Sequence, residues 1–491
     1  MSPNGRAKVL AVLGTQSHAG KSVIVTALCR ILKNRGYRVA PFKSQNMSLN
    51  SWITKDNKEI GIAQAVQAFA AGAEPSADMN PVLLKPKGGM TSQVIVLGVP
   101  LGDRSVGQYY TTTEEMMAIA TGALGRLSSS YDVIVMEGAG GAAEINLYDR
   151  DIANTRMAKA AGAPVILVGD IERGGVFASL YGTIALLPEE DRKLVKGIII
   201  NKFRGDPSLL RSGIEALEKM TGVPVLGIIP YERLSIPSED SVSIEDKRET
   251  GRLPIDIAVI RFPLISNFTD FEPLERVAGV RYVPLGGDLG NPDIVILPGT
   301  KNTVSDLRDL SGSPMFAKIK ALAAGGTPVI GICGGYQMLG ERVVDSGIEG
   351  DNAGTLRGLG LLPVETRFDA YEKTARQVTK RVTGDGPILG PLQGSTVSGY
   401  EIHMGQTASC SHVFEDDGCA DPSGLVIGTY LHGLFENRGL TDSLLSYACR
   451  RKGLDYSPGD EPRDAYDELA GIVEPCLDMK ALMSIIEAGC D

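Results

Sequence analysis

Apolar residues recur along the chain in short runs that each stop at Gly, Asp, Asn or Pro: VLAVLG from Val9, VIVMEGAGG from Val133, PVILVGD from Pro164, GIIINKF from Gly197 and VPVLGIIP from Val223. Runs that do not alternate with polar residues predict strands buried on both faces, as in a parallel sheet. Between them lie longer, helix-compatible stretches such as SVIVTALCRILKNRG and EIGIAQAVQAFAAG. The first ~230 residues therefore predict a βαβ succession winding a doubly wound sheet. A second succession comprises IDIAVIRFP from Ile255, DIVILPGT from Asp293, TPVIGICGG from Thr327 and LVIGTYLHG from Leu425. Between the two series, Pro230 to Pro254 is polar and charged, which places a boundary near residue 250. The expectation is an α/β protein with domains at 1–250 and 251–441, followed by a stretch at 442–491 with no assigned role.

Composition narrows the function classes. A length of 491 residues, 43% hydrophobic and 22% charged, supports more than one packed core and sets aside wholesale disorder. The 59 acidic residues against 49 Lys and Arg leave a net charge of -10, which repels a phosphate backbone, so nucleic acid is not an expected partner. Seven cysteines with no CxxC pair read as reduced thiols, neither a disulfide framework nor a zinc ribbon, and predict a cytoplasmic protein. No run approaches the ~20 apolar residues that span a bilayer, and no h-region precedes a cleavage site, so neither membrane insertion nor export is expected.

Gly14 to Ser22 reads GTQSHAGKS, after a predicted strand and before a predicted helix, which is the context of a P-loop. Backbone amides of Gly14, Thr15 and Gly20 would converge on phosphate oxygens, Lys21 would reach the β/γ-phosphates, and the Ser22 hydroxyl would reach Mg²⁺. Five residues rather than the usual four separate Gly14 from Gly20. Glu137 ends a strand and precedes GAGG, a position that suits a second Mg²⁺ ligand. Asp170 and Asn201 end the next two strands and would line the same rim, or equally cap the helices that follow them.

Cys333 sits in PVIGICGGYQMLG, where a strand meets a helix among Gly331, Gly334 and Gly335. A tight turn there exposes the thiol beside a helix N-terminus and backbone amides, the layout of a nucleophile elbow. Of four histidines, His432 in GTYLHGLFEN is the preferred base because a strand end carries it to the same rim, and His403 in SGYEIHMG is its rival. His18, inside the phosphate loop, assists or merely borders the phosphates, and His412 reads as a surface residue.

Together GICGGYQMLG and GTYLHGLFEN resemble the corrinoid type of class I glutamine amidotransferase domain. With GTQSHAGKS, FKSQNMSLNS, MEGAGG, DIERGGVFAS, NKFRGD and ISNFTDFEPL, the chain looks like the cobyric acid synthase family of cobalamin biosynthesis, over Gly14 to about Asn437. The resemblance implies a dethiobiotin synthetase/MinD-like P-loop domain followed by a flavodoxin-like amidotransferase domain. It implies use of ATP, Mg²⁺, glutamine and a corrinoid to amidate the b, d, e and g carboxylates of adenosylcobyrinic acid a,c-diamide through an acyl phosphate. It also implies that Cys333 forms the glutamine thioester with His432 as base, and that amides at Gly299 and Gly334 hold the oxyanion. Asn201 joins the ATP-binding set, and Lys43, Asn46 and Asp151 are the candidate corrin contacts. Self-association is left open.

Position 434 is Leu where many class I amidotransferases carry a Glu, so a Cys333–His432 dyad is expected, with Glu436 as the alternative carboxylate. Two competing readings follow. The sister enzyme that amidates the a and c carboxylates typically carries an acidic loop where this chain has KSQNMSLNS, with Lys43, Asn46 and Asn50. A MinD-like nucleotide switch would lack the glutaminase residues.

Overall fold

Residues 6–232, 253–350, 353–409, 411–458 and 464–490 are described by the computed structural model, and the boundary expected near residue 250 lies outside them. The chain divides into two units. One comprises Met1–Ser48, Glu59–Pro237 and Pro462–Asp491, the other Leu49–Lys58 and Ser238–Glu461.

In the first unit, β1 (Lys8–Gly14), β2 (Val39–Phe42), β3 (Val133–Glu137), β4 (Val165–Asp170), β5 (Val195–Phe203) and β6 (Val225–Pro230) form a parallel sheet in the order β6-β5-β4-β1-β3-β2. Leu10 and Val12 pack on one face with helix α1 (Lys21–Asn34), while Ala11 and Leu13 pack on the other. Burial on both faces is the reason the runs lack alternation. Strand order reverses beside β1, so the loops leaving β1 and its neighbours open a crevice at their carboxyl ends. Register fills that edge with chemistry: Val12 pairs with Glu137, Gly14 with Val168 and Asp170 with Asn201. Helix α2 (Ile62–Ala71) follows, and a four-stranded sheet is built from Gln45–Met47, Val82–Gly88, Thr91–Val96 and Val99–Ser105. The FKSQNMSLNS motif therefore contributes a strand, Gln45–Met47, to this sheet.

The second unit holds β7 (Leu253–Arg261), β8 (Ala278–Pro284), β9 (Ile294–Leu297), β10 (Val329–Ile332), β11 (Thr396–His403), β12 (Cys419–Ala420) and β13 (Val426–Thr429). The main sheet runs β8-β7-β9-β10-β13-β12, parallel except for its last, antiparallel pair. Helix α3 (Gly334–Leu339) leaves β10, and β11 pairs antiparallel with Leu431–His432, Tyr400 opposite His432. Helix α4 (Arg438–Arg451) buries Leu440, Leu444, Leu445 and Ala448 in the core of this unit.

Residues 442–491, unassigned from the sequence, divide between the units. Helices α5 (Ala465–Val473) and α6 (Met479–Ala488) return to the first, where Leu469, Val473, Leu482 and Ile486 join Leu10, Val12, Ile24 and Leu28 in one apolar layer. Arg30 on α1 pairs with Asp464 and with Asp467 at 2.6 Å, and Arg35 with Glu474 at 2.7 Å. Among the described residues no helix is long and apolar enough to cross a membrane.

Candidate functional site

The phosphate loop of the first unit is held from below by the next strands. Gly20 has φ 97°, and a Cβ there would lie 2.0 Å from Asn201 Nδ2, so glycine is required by both conformation and space. Asn201 Nδ2 donates to Ala19 O at 3.0 Å, and Lys202 Nζ donates to His18 O at 2.6 Å while pairing with Asp170 at 2.8 Å. Asn201 and Asp170 thus support the loop that the sequence placed beside them. Lys21 Nζ donates to Gln16 O and Gly140 O, at 3.1 and 2.8 Å, which aims the ammonium across the loop toward MEGAGG.

Glu137 is fully buried. Its Oε1 accepts from Ser22 Oγ at 2.9 Å and from Lys43 Nζ at 2.8 Å, and its Oε2 accepts from Gln67 Nε2. Thr15 Oγ1 and Gln67 Oε1 are buried with no hydrogen-bond partner among the described residues. A hydroxyl at the helix start and a carboxylate at the end of β3, with two unsatisfied oxygens among the described residues, fit a hard cation that keeps waters and phosphate oxygens as its remaining ligands. The candidate corrin contacts lie inward: Lys43 on Glu137, and Asn46 with its Nδ2 donating to Gln64 Oε1 at 2.9 Å. Asp151 Oδ1 accepts from Ala153 N at 2.7 Å and its Oδ2 from Asn154 Nδ2 at 2.7 Å, while Asn154 Nδ2 also donates to Ala139 O, bracing the GAGG turn. Burial raises the Asp151 pKa from its ordinary value, against the hydrogen bonds from Asn154 and Ala153 that lower it.

In the second unit, Cys333 takes φ 51° and ψ -108°, a strained conformation for a residue with a side chain. Its N–H donates to Thr429 O at 2.8 Å on β13, and its carbonyl accepts from Gln337 N at 3.1 Å, fixing the turn between β10 and α3. A Cβ on Gly335 would lie 2.0 Å from Leu297 O, so the helix can seat against β9 only with glycine there. Cys333 Sγ lies 3.4 Å from Ile402 O on β11.

His432 is wholly buried, and its Nδ1 lies 2.7 Å from Asp270 Oδ2, with both side chains 2% exposed or less. Asp270 Oδ1 accepts from Gly433 N at 2.9 Å, so the carboxylate grips the ring and its own strand end together. This fixes the tautomer with Nδ1–H toward Asp270 and turns Nε2 to Cys333. Burial opposes charge on the ring, but the Asp270 charge and hydrogen bond, then Cys333, outweigh it and hold the imidazole up at about 10. Tyr400 stacks on the ring, centroids 5.2 Å apart, and Asn267 Nδ2 lies 3.4 Å from each ring nitrogen.

Of the expected residues, Cys333, His432, Gly299 and Gly334 come together: a Cβ on Gly299 would lie 3.1 Å from His432 Cε1, and one on Gly334 2.5 Å from Thr300 Cγ2. The carboxylate on His432 is Asp270 rather than Glu436, so the dyad expected from Leu434 gains a third member. Glu436 is pushed up by burial, against the opposing pull of Arg276. Asp270 was not singled out from the sequence, although it lies in ISNFTDFEPL; a strand-end histidine lacking its usual Glu is the signal to seek an acid elsewhere. His403 is a poor base, since burial pushes it down to about 4 and its Nδ1 is bound to Gly405 O at 2.8 Å. It stacks on Tyr430 and lines a cavity of about 300 Å³ with Arg376, Glu401 and Asp416.

Comparison with known proteins agrees with both halves. A CobQ/CobB/MinD/ParA nucleotide binding domain model matches residues 10–243, and a CobB/CobQ-like glutamine amidotransferase domain model matches residues 256–440. A protein of Methanocella arvoryzae named probable cobyric acid synthase is 69% identical over 482 residues, covering 98% of this chain and 99% of the relative. Proteins of the same name from Methanococcoides burtonii and Methanosarcina barkeri are 63% and 61% identical, the first covering 98% of both chains and the second 98% of this chain and 99% of the relative.

Proposed function

The chain belongs to the cobyric acid synthase family, and from that premise we propose that it amidates the b, d, e and g carboxylates of adenosylcobyrinic acid a,c-diamide to give adenosylcobyric acid, with ATP as the activating nucleotide. It is a glutamine-dependent amidating ligase with a P-loop nucleotide-binding domain. The observation that carries the finer reading is the strained Cys333 beside a buried His432–Asp270 pair, in a chain that also holds a buttressed phosphate loop.

A carboxylate resists amines because oxide is a poor leaving group, so the corrin acid first takes the γ-phosphoryl of ATP as an acyl phosphate. Lys21 and the loop amides stabilise the charge shed onto the phosphates. Mg²⁺, when bound, neutralises phosphate oxygens; Ser22 and Glu137 would hold it. In the other unit, Cys333 Sγ attacks the glutamine side-chain carbonyl, with the Gly299 and Gly334 amides facing the oxyanion. His432 gives its proton to the leaving ammonia, and water then releases glutamate from the thioester. Ammonia displaces phosphate from the activated acid to form the amide.

The test supplies amide-¹⁵N glutamine, ATP and adenosylcobyrinic acid a,c-diamide, and reads product mass. Uptake of four labelled nitrogens supports the reading. ATP cleavage with the corrin acid but no label in the product sinks it, and preferential turnover of cobyrinic acid instead points to the a,c-amidating sister activity.

A further inference from the structure

One short segment touches both groups that flank the catalytic imidazole. Residues 49–58 belong to the second unit although the chain on either side of them belongs to the first. Within this segment, Ser51 N–H donates to Asn267 Oδ1 at 2.9 Å, and Ser51 O accepts from Tyr400 Oη at 3.0 Å. Asn267 and Tyr400 are the side chains whose amide and ring lie against His432. One residue's backbone donor and acceptor therefore fix both neighbours of the base. Around it, Asn50 Oδ1 accepts from Phe268 N at 3.3 Å, in the short 3-10 helix that carries Asp270, and Gln377 Nε2 donates to Ile53 O at 2.7 Å. Trp52 packs on the Tyr400 ring at 5.3 Å.

The two flanks of this segment meet at a different group. Lys43, six residues before Leu49, and Gln67, on α2 beyond Lys58, hold the two oxygens of Glu137. Asn46 and Gln64 tie the flanks to one another. Any ligand that takes Glu137 Oε1 competes with the Lys43 ammonium for it and so acts on the stretch that enters residue 49.

We propose that Ser51 positions His432 through Asn267 and Tyr400, and that residues 49–58 make this positioning answer to occupancy of the nucleotide site. The inference rests on reading Cys333 and His432 as a glutaminase. It needs only a small displacement, because misplacing a catalytic group by about 1 Å can cost on the order of 100-fold in rate. Ser51, Asn267 and Tyr400 act here as positioning residues.

Trp52 is the chain's one tryptophan and reports on the segment directly. The experiment uses the full chain and follows Trp52 emission and the rate of Cys333 alkylation by iodoacetamide, located by peptide mass, with and without saturating ATP and Mg²⁺. We expect the nucleotide to shift Trp52 emission and to change Cys333 alkylation by at least about fivefold. In Asn267→Ala the emission still responds while the alkylation change is lost. Tyr400→Phe, which keeps the stacked ring but releases Ser51 O, shows a reduced change. Calorimetric binding of the nucleotide with neither readout moved in the unsubstituted chain overturns the inference, as does a full response in both variants. Cys333-dependent glutamate release, measured on the same samples, separates the failures: its absence overturns the glutaminase reading and this inference with it, whereas its presence with a nucleotide-insensitive Cys333 overturns this inference alone.

Discussion

Asp270→Asn removes a charge while keeping the size and shape of the side chain on His432. The Asn Oδ1 still accepts from Gly433 N, and the side chain keeps its volume at a buried position. What it removes is the negative charge that, against burial, holds His432 at about 10 rather than its ordinary 6.5. At about 1.36 kcal/mol per pH unit, the net rise, to which Cys333 also contributes, is worth roughly 5 kcal/mol. Only the part still felt when the proton moves to the leaving ammonia enters the rate, and the amide also offers Nδ1 an N–H that selects the wrong tautomer. We therefore expect glutamine hydrolysis to fall by roughly 10²- to 10⁴-fold in kcat, with nucleotide binding unchanged. Glutamate release measured across pH should also show the alkaline limb of kcat/KM moving to lower pH in the variant. A variant within about threefold of the parent rate, with an unmoved pH profile, would refute the assignment of Asp270 as the group that charges and orients the base.

The same pair makes stability depend on pH. The ring titrates at about 10 in the fold against 6.5 as its ordinary value, so its contribution is fully present below that ordinary value and is lost as pH rises through about 10. Urea midpoints should drop more between about pH 7 and about pH 9.5 in the parent than in Asp270→Asn, and parallel curves would contradict this. Gly20→Ala forces a side chain into φ 97° and against Asn201 Nδ2, a strain of about 1–3 kcal/mol at the phosphate loop. Calorimetry should show weakened nucleotide binding while glutamine hydrolysis without nucleotide persists. Leu482→Ala removes a fully buried side chain from the layer over α1 and should cost the first unit about 2–5 kcal/mol in chemical denaturation; an unchanged midpoint would show that α6 does not stabilise that layer.

Strands and the strained turn at Cys333 were readable where the physics is local. The runs at Val133, Pro164 and Gly197 are unalternating because both sheet faces are covered, and β3, β4 and β5 lie on them. Gly20 and Cys333 announce themselves because a phosphate loop and an elbow need particular backbone at fixed spacing. Strand Val99–Ser105 was not read: it alternates between exposed and half-buried residues and carries no apolar run. Asp270 was missed for a different reason. Its partner lies 162 residues away, and nothing in FTDF distinguishes an acid bound for a buried imidazole from one capping a short helix. The destination of residues 464–490 was equally hidden, since an amphipathic helix states that it needs a cover but not which one.

That destination governs the order in which the molecule can be made. The apolar side of α1, Ile24 and Leu28 included, is covered in part by Leu482 and Ile486. These leave the ribosome only after the whole amidotransferase stretch has been translated, on the order of 40 s later at bacterial-type elongation rates. For that interval the nascent nucleotide-binding half exposes a greasy helix face while its later neighbour is free to fold. Chaperone demand should therefore fall on the half that is synthesised first and finished last.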